Sequence, residues 1–169
     1  MRSPKAKRPR GHHQRPLARA AARSKARRNR VPAEFFVDTS AWYPLIVSAH
    51  PDHARLAAAL RAAIGAHRRL VTTNLVVAET HALLLRRVGR SPALAFVRTV
   101  DDTPNVVVRS TRDLERTAER DWLARYADQD FSYTDAVSFS VMTERRIRDA
   151  LALDHHFTVA GFQTLGTPR

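Results

Sequence analysis

The chain has 169 residues, 44% of them hydrophobic, which suits one domain with a buried core. It contains no cysteine, so a disulfide framework and a thiolate metal site are both excluded. No apolar run approaches the roughly 20 residues of a membrane-spanning helix, and the basic N-terminus leads into no apolar segment of a secretory signal. We therefore expect a cytoplasmic protein made of one domain and a tail.

The net charge of +13 is concentrated at the N-terminus. Residues 1–30 hold twelve Lys and Arg residues and no acid, which leaves 17 of the 29 cations against 16 acids in residues 31–169. So basic a segment buries too little apolar surface to fold alone. We predict that residues 1–33 form a disordered basic tail and that residues 34–166 form the folded domain.

Three interpretations of the basic tail remain open. It is an RNA-binding arm, an organellar transit peptide, or the product of a start codon assigned too early. An RNA-binding arm would lose affinity steeply as salt increases. We favour the early start codon, because core-forming sequence begins at Phe35, just after Val31. Native protein that yields peptides from residues 1–30 in mass spectrometry would contradict this expectation.

Strand and helix patterns alternate through the rest of the chain. In chain order they predict a strand at 35–37, a helix at 51–64, a strand at 70–73 and a helix at 75–88. A helix at 92–100, a strand at 105–109 and a helix at 111–127 follow. The last predicted elements are a helix from 134 and strands at 150–153 and 162–165. Strands separated by long helical patterns indicate right-handed crossovers and a mainly parallel sheet. The predicted fold is a three-layer α/β/α sandwich. No glycine-rich phosphate loop is present, so P-loop and dinucleotide sites are excluded.

Two aspartates fall where predicted strands end. Asp38 follows the first strand and Asp154 follows the strand at 150–153. In open parallel sheets the functional crevice lies beyond the carboxyl ends of the strands. A third acid, Glu79, shares an i, i+4, i+8 row with Leu75 and Leu83, so we expect it to lie on an apolar stripe.

The fourth acid, Asp135, lies in the first turn of its predicted helix. Phe139 and Met142 follow on the same face at i+4 and i+7, which directs Asp135 toward the core side. A simpler explanation for an acid at this position is a favourable interaction of Asp135 with the helix dipole.

The other three acids also have explanations without chemistry. Asp38 and Asp154 fit ordinary turns, and Glu79 is solvated if the helix boundary is misplaced. Four inward acids together are harder to explain this way, because buried carboxylates are rare unless they are paired or bind a metal. Since residues 31–169 contain no lysine, we predict that a metal ion supplies the counter-charge.

Four segments of the chain resemble the PIN-domain ribonucleases, and most closely the VapC-type toxins of type II toxin–antitoxin systems. The segments are specific together, and the third is the strongest alone: FFVDTSAW at 35–42, TNLVVAET at 73–80, DFSYTDAVSFSVM at 130–142 and ALALDHHF at 150–157. The resemblance implies a catalytic quartet of acids and three supporting hydroxyl groups, namely Asp38, Glu79, Asp135 and Asp154 with Ser40, Ser132 and Thr134. The basic tail departs from the typical toxin, which starts almost at its first strand.

The same resemblance implies metal-dependent hydrolysis of RNA that leaves 5′-phosphate and 3′-hydroxyl ends. Asp38 and Asp135 would bind Mg²⁺ or Mn²⁺ directly, and Glu79 and Asp154 would orient water or hold a second ion. The expected substrate is an RNA such as transfer RNA or ribosomal RNA. The expected partners are a cognate antitoxin and a second copy of the chain in a homodimer.

Two rival functions from other classes stand beside this hypothesis. A haloacid-dehalogenase-type phosphatase would need an acid at position 40, where this chain has Ser40. A non-catalytic RNA- or protein-binding module with the same fold is the main alternative. Zinc binding at His155 and His156 is not predicted, because adjacent side chains diverge and no third imidazole has suitable spacing.

Overall fold

The computed structural model of the protein describes residues 33–102 and 104–166, so the predictions for residues 1–32 lie outside the described part of the chain. Within that part the strands are β1 (Glu34–Val37), β2 (Arg69–Thr73), β3 (Val106–Val108), β4 (Asp149–Leu151) and β5 (Gln163–Leu165). The helices are α1 (Thr39–Ile46), α2 (His53–Gly65), α3 (Asn74–Arg87), α4 (Arg90–Asp102), α5 (Arg112–Ala118), α6 (Tyr133–Arg145) and α7 (His156–Val159). A π-helical segment at Glu119–Leu123 extends α5.

The five strands form one sheet in the order β3-β2-β1-β4-β5, and every neighbouring pair is parallel. Phe36 of the central strand β1 lies opposite Val71 on one side and Ala150 on the other. Successive residues of a strand point to opposite faces, and Phe35, Phe36 and Val37 are all fully buried. Both faces of the sheet are therefore covered. The predicted three-layer α/β/α sandwich with a parallel sheet is confirmed.

Helix α1 follows directly after β1, at a position where the sequence pattern predicted no helix. Asp38 is the N-cap of this helix, and its side chain accepts a hydrogen bond from the Ser40 amide. Pro44 lies inside α1, and proline in a helix interior removes a backbone hydrogen bond. The sequence pattern missed this helix, in which the Asp38 cap and the burial of Ala41 and Trp42 outweigh the hydrogen bond that Pro44 removes.

Helix α3 differs from its prediction in the face that it buries. Its buried residues are Val76, Thr80 and Leu84, one row away from the predicted row that includes Glu79. Glu79 is consequently exposed. The prediction that Glu79 points toward the core was wrong, because the apolar residues of this helix occupy two adjacent rows and packing selected the other one.

Helix α6 is fixed at both ends. Ser132 and Asp135 form a capping box at its start, in which each side chain accepts a hydrogen bond from the other residue's backbone N–H. At its end, Arg145 donates hydrogen bonds of 2.9 and 2.7 Å to the carboxylate of Glu34 on β1. All residues from Asp135 to Met142 are buried. The first turn of α6 therefore holds its aspartate in a defined place.

No helix in the described residues combines the length and apolar character that crossing a membrane requires.

Candidate active site

Asp38 is the most buried acid of the predicted quartet. It lies at the junction of β1 and α1 with 4% of its surface exposed. Its Oδ2 accepts hydrogen bonds from the Ser40 amide at 2.8 Å and from the Ser40 hydroxyl at 2.6 Å. Two hydrogen-bond donors of Ser40 thus hold the buried carboxylate of Asp38 in place.

The Ser40 hydroxyl also connects this junction to the loop after β4. Its Oγ accepts hydrogen bonds from the Leu153 amide at 2.9 Å and from the Asp154 amide at 3.2 Å. Strand β4 ends at Leu151, so Asp154 lies three residues beyond the strand and not at its end. Ser40 therefore brings Asp154 toward Asp38 across more than a hundred residues of chain.

Asp135 lies at the start of α6 with 8% of its surface exposed. Its Oδ2 accepts hydrogen bonds from the Ser132 amide at 2.9 Å and from the Ser132 hydroxyl at 2.8 Å. Asp38 and Asp135 thus share one design, in which a serine supplies two donors to one carboxylate oxygen. Thr134 is half-buried, and within the described residues its side chain makes no hydrogen bond to the four acids.

Glu79 lies at the rim of the cluster. Its Oε2 accepts a hydrogen bond of 2.9 Å from the hydroxyl of Thr39, which is buried beside Asp38. Thr80 donates in turn to the Thr39 hydroxyl over 3.3 Å. Thr39 was not among the predicted site residues, although its place next to Asp38 at a strand–helix junction is a signal in the sequence.

His156 is a second residue that the sequence pattern missed. Its Nδ1 lies 3.5 Å from Asp135 Oδ2 and 3.4 Å from Asp154 Oδ1, so the imidazole stands between these two acids. His155 Nδ1 also lies 3.5 Å from Asp154 Oδ1, and the two histidine ring centroids are 4.4 Å apart. The expectation that adjacent histidines diverge was wrong, because a turn at the start of α7 brings both rings to Asp154.

The electrostatics of the cluster favour a bound cation. Burial, and to a lesser degree the negative charge of Asp135, raise the pKa of Asp38 to about 6, although hydrogen bonds from Ser40 oppose the rise. The buried Nδ1 of His156 has no hydrogen-bond partner within the described residues. Carboxylate oxygens and an unpartnered imidazole nitrogen are suitable ligands for a divalent metal ion, so the residues present fit such an ion.

A separate cleft of about 790 Å³ lies between α5 and α6 and contains none of the four acids. Trp122, Tyr126 and Arg125 line it together with the acids Asp113 and Glu144. Buried carboxylates that could bind a divalent ion lie at the acid cluster, so we place the chemistry there and not in this cleft.

Replacing Ser40 with alanine should disturb both stability and activity. The change removes a donor from buried Asp38 and the acceptor of the Leu153 and Asp154 amides. We expect a loss of about 1–3 kcal/mol in the free energy of unfolding, and about 10–100-fold lower activity as metal-binding groups lose their support. Denaturant unfolding measures the change in stability, and initial rates of RNA cleavage measure the change in activity.

Ser140→Ala is the matched control, since the buried Ser140 hydroxyl donates only to the Ala136 carbonyl of its own helix. Equal effects of the two substitutions would show that the link through Ser40 has no special role.

Comparison with known proteins places this geometry in a family. The sequence profile of the PIN domain matches residues 35–163. The 23S rRNA-specific endonuclease VapC20 of Mycobacterium tuberculosis is 38% identical over 127 residues, which cover 75% of this chain and 94% of that protein, in both strain CDC 1551 / Oshkosh and strain H37Rv. The crystal structure of Mycobacterium tuberculosis VapC20, described as a sarcin–ricin loop cleaving toxin, matches with a TM-score of 0.67 and 37% identity.

That structural match covers 76% of this chain and 95% of the solved chain. The similarity thus spans nearly the whole relative and includes all four predicted acids, which lie within residues 35–163. The resemblance inferred from the sequence is confirmed: the chain belongs to the PIN-domain family, and its relatives there are VapC toxins.

Proposed function

We propose that this protein is a metal-dependent endoribonuclease toxin that cuts 23S rRNA in the sarcin–ricin loop. Its PIN-domain membership supports the reaction class, and its 38% identity to VapC20 supports the choice of RNA. The observation that carries the proposal is the acid cluster. Ser40 links Asp38 to the Asp154 amide, and His156 Nδ1 lies 3.5 Å from Asp135 Oδ2 and 3.4 Å from Asp154 Oδ1. A ribosomal substrate also supports a location in the cytoplasm.

Asp38 and Asp135 are the proposed direct ligands of the metal ion. Their serine donors contact Oδ2 in both residues, which leaves Oδ1 for the ion. When bound, a divalent ion would supply polarisation of the scissile phosphate and activation of a water nucleophile. Mg²⁺ and Mn²⁺ are the proposed ions, because both accept carboxylate oxygens.

Glu79 and Asp154 have the proposed role of orienting water or holding a second ion. Glu79 is exposed at the rim, and the hydrogen bond from Thr39 fixes one of its oxygens. Asp154 has a third of its side chain exposed, while its Oδ1 accepts a 2.9 Å hydrogen bond from the His156 amide. Both carboxylates thus combine contact with solvent and a defined orientation, which a water-orienting group needs.

The proposal is tested by incubating ribosomes with the purified full-length chain, free of antitoxin, in Mg²⁺, in Mn²⁺ and in excess chelator. We expect one new fragment of 23S rRNA, formed only with the ion, whose end maps to the sarcin–ricin loop. Metal-dependent cleavage of transfer RNA alone would overturn the proposed substrate and retain the nuclease. A folded, metal-binding chain that cleaves neither RNA would favour the non-catalytic binding module.

The VapC type implies an RNA substrate and an antitoxin partner, and we further propose a homodimer. Leu85 and Val88 at the end of α3 and Leu94 on α4 are each more than 40% exposed, and such apolar side chains are often buried by association. Light scattering of the purified chain should give twice the monomer mass of 19.1 kDa. A mass that stays at one monomer across micromolar concentrations would contradict the dimer.

A further inference from the structure

Three consecutive residues beside the acid cluster bring possible metal ligands together. Asp154, His155 and His156 each offer one ligand atom, and these atoms all lie within 4.8 Å of one another. The Nδ1 atoms of His155 and His156 lie 3.5 and 3.4 Å from Asp154 Oδ1. Tetrahedral ligands that each lie about 2.0–2.2 Å from one ion are separated from each other by roughly 3.3–3.6 Å. Both distances therefore suit ligands of one shared ion.

His156 offers its nitrogen without a competing partner. Only 16% of its side chain is exposed, and the Phe131 ring meets the imidazole edge-to-face with centroids 5.2 Å apart. The Nδ1 atom is buried and has no hydrogen-bond partner within the described residues. A buried polar atom that is left unpaired costs free energy, so an ion that binds this nitrogen would remove that cost.

Protonation of the histidines is the other way to satisfy these nitrogens, and the geometry opposes it. The two imidazole rings have centroids 4.4 Å apart, so two protonated rings would repel each other. Both distances to Asp154 Oδ1 also exceed the usual N–H···O hydrogen bond of roughly 2.9 Å. One divalent ion instead binds both rings in their neutral form together with the carboxylate.

Asp154 has room for an ion, whereas the oxygen of Asp135 that faces His156 has none. Asp154 Oδ1 accepts one hydrogen bond, from the His156 amide, and a carboxylate oxygen can accept two. Asp135 Oδ2 lies 3.5 Å from His156 Nδ1 but already accepts hydrogen bonds from both the amide and the hydroxyl of Ser132. Asp135 therefore adds negative charge beside the three residues without being a ligand there.

We propose that Asp154, His155 and His156 bind one Zn²⁺ ion, separate from the ion at Asp38 and Asp135. Two imidazoles and a carboxylate are a ligand set of zinc sites that keep a fourth position open. Zn²⁺ generally binds nitrogen and oxygen ligands more tightly than Mn²⁺ or Fe²⁺, and Mg²⁺ prefers oxygen ligands. The inference rests on the proposed function and deepens it, because it identifies the second ion that Asp154 would hold.

The assignment departs from the expectation based on the sequence, in which zinc lacked a third imidazole. The Asp154 carboxylate takes the place of that imidazole. The turn at the start of α7 brings the two adjacent histidine rings to this carboxylate.

Two other groups of histidines provide matched controls. His50 lies 3.8 Å from Asp52 and close in sequence to His53, but the Nδ1 atoms of both histidines already contact a backbone amide or carbonyl. His12 and His13 are adjacent in sequence, as the proposed ligands are, in a segment of 30 residues that contains no acid. Neither group should bind Zn²⁺ tightly.

Calorimetric titration of Zn²⁺ into the full-length, tag-free chain without RNA tests the site. We expect one tight site in the wild type, and about 100-fold or more weaker binding in His155→Gln and His156→Gln, because each variant removes a ligand. His50→Gln and the double variant His12→Gln/His13→Gln should bind as the wild type does. Zinc-edge X-ray absorption should show two imidazole ligands in the wild type and one in His155→Gln.

His155→Gln keeps the test valid if His156→Gln folds poorly, since 77% of the His155 side chain is exposed. A wild type that binds no Zn²⁺, or that binds Mn²⁺ or Fe²⁺ more tightly, would overturn the proposal. Equal Zn²⁺ binding by the wild type and His155→Gln would overturn it too, and loss of binding in either control would assign the ion to other histidines.

Failure of the zinc site is distinguishable from failure of the proposed nuclease. Metal-dependent RNA cleavage by a chain that binds no Zn²⁺ overturns only the zinc site. Zinc binding at the three residues without cleavage of any RNA overturns only the nuclease.

Discussion

Asp135→Asn should lower the rate of 23S rRNA cleavage by on the order of a thousandfold or more. Asparagine has nearly the same shape, and its side-chain oxygen can still accept the two hydrogen bonds from Ser132. The substitution removes only the negative charge that a divalent ion requires. Helix α6 should therefore keep its start, and the variant should lose activity without losing its fold.

The measurement compares initial cleavage rates of the wild type and Asp135→Asn at saturating Mg²⁺ and Mn²⁺, with circular dichroism to confirm folding. Asp113→Asn provides the control, because the side chain of Asp113 is 96% exposed on α5 and carries the same charge change. A folded Asp135→Asn protein that retains a tenth of the wild-type rate would contradict a direct role for this carboxylate.

The sequence predicted the inward positions of Asp38 and Asp135 because local rules decide where these two side chains lie. A buried strand ends before Asp38, and the carboxyl ends of parallel strands meet at one edge of a sheet. Asp135 shares a helical row with Phe139 and Met142, a pattern contained within one helix, and the structure adds a capping box with Ser132. Neither inference needs information about distant parts of the chain.

Glu79 and His156 depended on packing that local patterns do not contain. Helix α3 buries the row of Val76, Thr80 and Leu84 and not the adjacent row of Glu79. Glu79 therefore lies at the rim of the acid cluster, where it accepts a hydrogen bond from Thr39. His156 meets Asp135 through the arrival of α7 beside α6, a contact between separate segments. The expected divergence of two adjacent histidines holds for an extended strand, and a helical turn removes it.

The burial of helix α6 explains why the segment at 130–142 was the strongest single part of the resemblance to PIN-domain ribonucleases. Eight consecutive residues from Asp135 to Met142 are buried, so the helix has no polar face and no 3.6-residue alternation of apolar and polar positions. Small hydroxyl residues permit this, since Ser138 and Ser140 donate back to carbonyls of the same helix. Such a sequence is uncommon for a surface helix and is therefore specific.

Asp38→Asn should stabilise the metal-free protein at pH 7.5 by up to about 3 kcal/mol in the free energy of unfolding, although it abolishes activity. The pKa of Asp38 is raised to about 6, chiefly by burial and then by Asp135. Above that pKa the folded protein holds an unfavourable buried charge, whereas the unfolded chain solvates it. Asparagine keeps an acceptor for Ser40 and removes the charge.

The pH dependence has a definite sign. Between about pH 4 and pH 6 the folded state binds more protons at Asp38 than the unfolded state, so the metal-free wild type loses stability as the pH rises through this window. The advantage of Asp38→Asn should therefore be near zero at pH 4 and complete above pH 7. Comparing the two proteins by denaturant unfolding at each pH cancels contributions from other groups.

Metal ion should reverse this order of stability at neutral pH. Saturating Mn²⁺ or Mg²⁺ binds only the folded state, so it should raise the melting temperature of the wild type and have much less effect on Asp38→Asn. A variant that is less stable than the wild type without metal at pH 7.5 would mean that the Asp38 charge is already balanced inside the protein. The pH series and the metal titration together show whether the buried charge of Asp38 is neutralised by a bound cation or by other groups of the folded protein.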